Sequence, residues 1–185
     1  MRKFEEVSKE FKKLDGQALL PLRGSKTSAG YDFYTTEELV IHPQEKVFFW
    51  TDIKAQMPEG EFLMLIVRSS LGVKKDLMLA NTIGIGDSDY YSNAGNDGNY
   101  GVCLRNLKPE FKLDGYEEVK VNDMYNPNRA IKLSIPKLKD LRKENTVVIP
   151  KGERVIQGIF VPFSESDNCN SLEERAGGFG SSGVK

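Results

Sequence analysis

The chain has 185 residues, 39% hydrophobic and 29% charged, with 26 Lys and Arg set against 27 Asp and Glu for a formal charge of −1. That is one globular domain whose core covers roughly two thirds of the surface the unfolded chain would expose, so folding requires neither a disulfide nor a structural metal. The balanced charge excludes any overall attraction to nucleic acid or an anionic membrane, and leaves a local Arg cluster as the place for a small anion.

The longest apolar run, Phe62 to Val67, falls far short of the roughly 20 residues that span a bilayer. The opening 15 residues are charged throughout, unlike a leader for export. Cys103 and Cys169 stand in no metal-ligand or redox spacing and read as reduced thiols. A cytoplasmic protein without a membrane span is expected.

In chain order, Phe4, Val7, Phe11 and Leu14 recur at intervals of three and four among Lys and Glu, which predicts an amphipathic helix over residues 1–14. From Ala18 the period changes. Short apolar or alternating runs cut by Gly, Pro, Asn and Asp predict strands at Tyr31 to Thr35, Lys46 to Met57, Phe62 to Val67, Tyr100 to Leu104, Thr146 to Ile149 and Arg154 to Phe163. A short helix follows Arg68, with Ser69 or Ser70 as its cap. Residues 107–145 read as an inserted β-rich arm with strands at Glu117 to Val121 and Ala130 to Ile135. Residues 175–185, rich in Gly and Ser, read as a flexible C-terminal lid. Many short strands without alternating long helices predict an all-β jelly roll of the sandwich or barrel kind.

The single histidine, His42, precedes Pro43 with no nucleophile beside it and reads as structural, which turns attention from triad chemistry to carboxylates and arginines. Asn81-Thr-Ile-Gly84-Ile-Gly-Asp87-Ser-Asp-Tyr90 places two carboxylates two apart after a strand, a pattern that serves either as a turn or to hold a water for attack. Arg68-Ser69-Ser70-Leu-Gly offers a guanidinium fork and hydroxyls at a helix start, suited to phosphate or to plain capping. Gly152-Glu-Arg154-Val-Ile-Gln157 alternates like a half-buried strand, so Arg154 and Gln157 read equally as surface residues. Phe179 between Gly178 and Gly180 is an aromatic on a hinge, fitted to close over a flat ligand.

In this order the segments resemble the five motifs of the trimeric dUTP diphosphatase (dUTPase) family. Ala29-Gly-Tyr-Asp32-Phe resembles the first motif, Arg68-Ser-Ser-Leu-Gly the second, and Asn81 with Gly84-Ile-Gly-Asp87-Ser-Asp-Tyr90 the third. Gly152-Glu-Arg-Val-Ile-Gln157 resembles the fourth, and Arg175 with Gly177-Gly-Phe-Gly-Ser-Ser-Gly183 the fifth. The resemblance implies a distorted jelly-roll homotrimer that exchanges C-terminal tails at its subunit contacts. It implies hydrolysis of dUTP to dUMP and pyrophosphate, keeping uracil out of DNA, with Asp87 orienting the water that attacks the α-phosphorus. Arg68, Ser69, Ser70 and Gln157 would hold phosphate oxygens, Asn81, Gly84 and the hairpin backbone would read uracil, and Tyr90 would lie against the deoxyribose. From the tail, Arg175, Phe179 and Gly180 would clamp phosphates and cover the base. Asp32 and Arg154 would play supporting roles. Mg²⁺ would be held by the triphosphate and waters, with Asp32 acting on it through water.

Three features depart from the family pattern, one of them in the fifth motif, where Phe179 follows Arg175 by four residues and many members have five. Residues 91–97 lengthen the hairpin tip after Tyr90, and residues 107–145 separate the third motif from the fourth, as in phage-encoded members. The arm raises an alternative of another class, a regulatory protein that binds a protein partner through 107–145 with dUTP as switch ligand. A dCTP deaminase-related enzyme shares the Arg-Ser-Ser motif, but would carry a catalytic Glu in the segment that here holds Asp87, and would lack the Gly-Gly-Phe-Gly tail.

Overall fold

The apolar run that is too short for a membrane becomes a central strand. The computed structural model describes residues 1–110, 117–120, 126, 129–133 and 142–168. Its strands in chain order are β1 Lys3–Glu6, β2 Leu22–Arg23, β3 Tyr31–Tyr34, β4 Leu39–Ile41, β5 Lys46–Trp50, β6 Ile53–Gln56, β7 Glu61–Val67, β8 Leu77–Leu79, β9 Gly84–Asp87, β10 Gly101–Asn106, β11 Glu117–Lys120, β12 Ala130–Leu133, β13 Val147–Ile149 and β14 Arg154–Pro162. Helix α1, Ser69–Lys75, follows β7. Among the described residues every strand pairing is antiparallel. This is the all-β jelly-roll class that the strand pattern predicts.

The largest sheet has the order β2-β3-β14-β7-β9, and a second runs β5-β10-β8. Side chains alternate across β7, so Leu63 and Leu65 enter the core while Phe62, Met64 and Ile66 take the other face. Phe33, Leu63 and Ile156 of the larger sheet and Phe49, Val102 and Leu104 of the smaller belong to one buried cluster. Gly158 marks how closely the packing runs: a Cβ there would sit 2.8 Å from the Phe33 ring and 3.1 Å from Leu63.

The first 14 residues do not form a helix. Lys3–Glu6 pair with Gln56–Ile53, closing an edge of β6 that would otherwise expose its backbone. Phe4 places its ring 5.1 Å from Tyr31, 5.4 Å from Phe33 and 5.4 Å from Phe160, and Val7 is buried. The helical spacing of the apolar residues is thus satisfied by a short strand followed by turns, because an unpaired edge and an aromatic pocket outweigh local periodicity.

The strand expected over Lys46 to Met57 is also two strands. It breaks at Asp52, which takes the left-handed conformation at φ 55° and turns its buried carboxylate toward the amides of Lys13 and Leu14. The arm contributes an antiparallel pair, β11 with β12. No helix among the described residues is long and apolar enough to cross a membrane.

Candidate active site

Asp32 is the centre of the first constellation. It lies on β3 with 1% of its surface exposed. Its Oδ1 stands 3.1 Å from Arg68 Nε and accepts a hydrogen bond from Gln157 Nε2 at 3.1 Å. Its Oδ2 accepts from Arg154 at 3.3 Å. A carboxylate with two guanidiniums and an amide around it is a buried anion with its charge compensated, and it holds the two cations at defined positions.

Local structure explains why these four meet. Gln157 lies directly opposite Asp32 in the β14–β3 ladder, while a register shift between Arg154 and Ile156 inserts an extra residue. In a regular strand, positions 154 and 157 would face opposite sides. The bulge restores them to one face, so both reach Asp32. Arg68 arrives from the end of β7, where its amide bonds the carbonyl of Val155 at 3.0 Å.

Arg68 is itself the N-cap of α1, without a side-chain capping bond, and Ser69 and Ser70 are the first two helical residues. The capping role expected of the serines is therefore not theirs. Ser69 is exposed and Ser70 half-buried, directly following Arg68 in the chain.

The second constellation is the β8–β9 hairpin. Asn81 and Gly84 line a cavity of about 270 Å³ with Leu65, Leu79, Gly101 and Cys103 among its other walls. A Cβ on Gly84 would come 3.1 Å from that of Leu65, so the glycine keeps this wall thin. From the sequence, Gly101 has no role and Cys103 only that of a reduced thiol. The signal was the Gly98-Asn-Tyr-Gly101-Val segment, which resumes the family pattern after the lengthened tip. Tyr90 is 6% exposed, its ring 5.3 Å from that of Tyr100 and its hydroxyl donating to the carbonyl of Asn99 at 2.8 Å.

Asp87 ends β9, half-buried, and pairs with Phe62 at the far end of β7 from Arg68. The Asp32 cluster and Asp87 therefore do not meet within one chain. His42 Nδ1 lies 3.0 Å from Thr146 Oγ1. Arg175, Phe179 and Gly180 lie outside the described residues.

Residues 17–108 match the family model for dUTPase. The deoxyuridine 5'-triphosphate nucleotidohydrolase of Lactococcus lactis is 35% identical over 167 residues, covering 89% of this chain and 88% of that protein. The chain belongs to the dUTPase family. The crystal structure of dUTPase from Streptococcus mutans is similar at 31% identity and a TM-score of 0.62, covering 89% of this chain and 98% of that one. A mutant dUTPase from phage phi11 of S. aureus, whose structure concerns the coordination of a structural Mg(II) ion, is 26% identical with a TM-score of 0.59 over 94% of this chain and 97% of that one. All five stretches that carry the dUTPase resemblance fall in this chain, three of them contributing to the Asp32 cluster.

Proposed function

We propose that this dUTPase family member hydrolyses dUTP to dUMP and pyrophosphate, as a cytoplasmic homotrimer. The observation that carries the reading is the meeting of three separate motifs on Asp32, which holds Arg68, Arg154 and Gln157 on one face of one sheet. Two guanidiniums, Arg68 at the start of α1 and Arg154 at the start of β14, held by one buried carboxylate supply the positive charge and hydrogen-bond donors that a triphosphate's oxygens call for.

In this reading Arg68, Ser69, Ser70 and Gln157 bind phosphate oxygens, and the cavity beside Asn81, Gly84 and Gly101 receives the uracil. Tyr90 bounds the deoxyribose side, where a 2′-hydroxyl would be crowded. Asp87 accepts a hydrogen bond from one water and aims its oxygen at the α-phosphorus. A bond forms from that oxygen to phosphorus, the bond from the α-phosphorus to the bridging oxygen breaks, pyrophosphate leaves with its electron pair, and the proton shed by the attacking water passes by way of Asp87 to solvent. The acceleration comes from placement and charge stabilisation more than from proton abstraction, since an ordinary Asp is a weak base.

Among the described residues no group of three or more His, Cys, Asp and Glu could hold a metal ion. Both Asp32 oxygens are already shared with two guanidiniums and an amide, which does not fit a direct ligand for a cation. Magnesium is assigned here only as an ion that the triphosphate brings with it, supplying charge neutralisation. The tail residues Arg175, Phe179 and Gly180 are assigned to the lid over the bound nucleotide.

The test is a nucleotide panel with product identification, run with and without Mg²⁺ on the wild type, on Asp87→Asn and on a variant lacking the arm. Release of dUMP and pyrophosphate that is lost only in Asp87→Asn supports the reading and leaves the arm free to bind a partner. Hydrolysis undiminished in Asp87→Asn removes that carboxylate from the mechanism.

A further inference from the structure

The lengthened tip at residues 91–97 is not a free loop. It is bonded at one end to Tyr90 and at the other to the N-terminal strand. Asn96 Nδ2 donates to the Tyr90 hydroxyl at 2.6 Å, and Asn93 Nδ2 donates to the Tyr90 carbonyl at 2.8 Å. Asn93 Oδ1 accepts from the amides of Gly95 and Asn96 at 3.0 and 3.1 Å. The tyrosine is therefore held at both its backbone and its hydroxyl by the same few loop residues.

The loop in turn rests on Asp97. Its carboxylate accepts from Lys54 Nζ at 2.9 Å through both oxygens and from the amide of Ser8 at 2.7 Å. Tyr91 adds a hydroxyl bond to Glu5, and Lys54 lies over the Tyr91 ring at 5.0 Å. Asn99 closes the far side, donating to Asp52 at 2.8 Å, and Asp52 accepts from Lys13 and Leu14. Two buried carboxylates thus staple the first 14 residues to the loop that carries Tyr90.

The arrangement is held against a cost. Ser92 at φ 54°, Asp97 at φ 57° and Gly98 at φ 80° all take the left-handed region, and a Cβ on Gly98 would lie 2.7 Å from the Tyr90 carbonyl. Left-handed non-glycine residues are sterically disfavoured, so a loop of this shape persists only where outside contacts define it.

We propose that Asp97 is a positioning residue for Tyr90, and that the N-terminal segment, bonded to it at Ser8, acts through it on the site's choice of sugar. This rests on the assignment of Tyr90 to the deoxyribose side of dUTP. Asp97 touches no substrate. It sets the loop that sets the ring, and a ring displaced by a fraction of an ångström no longer crowds a 2′-hydroxyl.

The experiment compares the wild type with Asp97→Asn, with the milder Tyr91→Phe, and with Arg2→Ala. The last removes an exposed pair with Glu61 just before β1 and leaves in place every bond between the N-terminal segment and the loop. In Asp97→Asn, KM for dUTP is expected to rise roughly tenfold with little change in kcat, and preference for dUTP over UTP to fall by about the same factor, as for one lost charge-assisted hydrogen bond. Tyr91→Phe should move both in the same direction by less, and Arg2→Ala should leave both unchanged. Adding Lys54→Met to Asp97→Asn should cost little more than either change alone, since the two share one contact. Amide hydrogen exchange over residues 90–99 should quicken in Asp97→Asn whether or not nucleotide is present.

Unchanged KM and unchanged dUTP preference in a folded Asp97→Asn protein overturn the proposal, as does unaltered exchange over the loop. A wild-type protein inert toward dUTP overturns the assignment of the site instead, and the brace is then decided by the exchange measurement alone.

Discussion

Arg68 and Asp87 share one face of the five-stranded sheet but stand at opposite ends of β7. Asp87 pairs with Phe62, and Arg68 lies six positions beyond Phe62 in the same alternation. At about 3.3 Å per residue that is roughly 20 Å along the strand, too far for one nucleotide's α-phosphorus to contact both through a single chain. A site that uses both must take them from two copies.

Subunit mixing tests this. Arg68→Ala and Asp87→Asn proteins are each expected to be nearly inactive alone. Unfolded and refolded together, they should regain up to roughly a quarter of wild-type activity, because about that share of random contacts pairs an intact Arg68 with an intact Asp87. No recovery in mixtures shown to contain both subunits would place the two residues in sites of a different construction.

Asp32→Asn tests the buried anion. Losing one partner of a compensated cluster leaves Arg68 and Arg154 repelling each other beside a side chain that is 1% exposed. A loss of about 2 kcal/mol in urea denaturation is expected, below the full buried-pair figure because both arginines are partly exposed. Hydrolysis of dUTP should fall roughly tenfold or more through misplaced guanidiniums. Unchanged stability would mean that the cluster contributes nothing to the fold.

The cavity at the β8–β9 hairpin gives a base-specificity prediction. Asn81→Ala should raise KM for dUTP and narrow the preference for dUTP over dCTP by roughly one to two orders of magnitude, as when a polar site loses the group that reads its ligand. Gly84→Ala should raise KM without changing that preference, since its methyl thickens a wall against Leu65 and reads no edge. Steady-state competition between the two nucleotides measures both.

Acid should release the N-terminal brace. Burial pushes the Asp97 carboxyl up, but the Ser8 amide and Lys54 together outweigh it and hold the group below its ordinary value. The Tyr91 hydroxyl and Lys3 hold Glu5 down, and Lys12 with the Ala18 amide does the same for Glu6. Groups lowered by folding stabilise the protein above their unfolded pKa, near 4 to 4.5, and that contribution is lost as pH falls through the folded values. Thermal melts should therefore show Tm dropping below about pH 4.5. The difference between wild type and Asp97→Asn should be largest near neutrality and should close in acid. A difference that is constant with pH would exclude ionised Asp97 as its source.

Much of this protein was legible in its order of residues. Strands at β3, β7, β10, β13 and β14 follow from alternating apolar runs bounded by turn residues, because that pattern reports a half-buried face directly. The five motifs carried the family, and with it the identity of Asp87, Asn81, Arg68 and Gln157 as the residues to locate. His42, set aside because no nucleophile stands beside it in the sequence, lies 3.0 Å from Thr146 Oγ1 through its Nδ1.

Tertiary structure decided what depends on partners distant in the chain. The first residues carry helical spacing, yet β6 had an edge to fill and Tyr31, Phe33 and Phe160 had a place for Phe4, so they became a strand. Arg154 and Gln157 read from the sequence as surface residues of a half-buried strand, and it is the bulge between Arg154 and Ile156 that turns both toward Asp32. The tip at 91–97 read as an interruption, and its stapling by Asp97 and Asp52 appears only once residues 5–14 lie beside it. The separation of Arg68 from Asp87 is likewise a matter of strand register. Local sequence reports which face a residue prefers, whereas register, bulges and edge pairing are settled by the summed burial and hydrogen bonding of segments brought together from far apart.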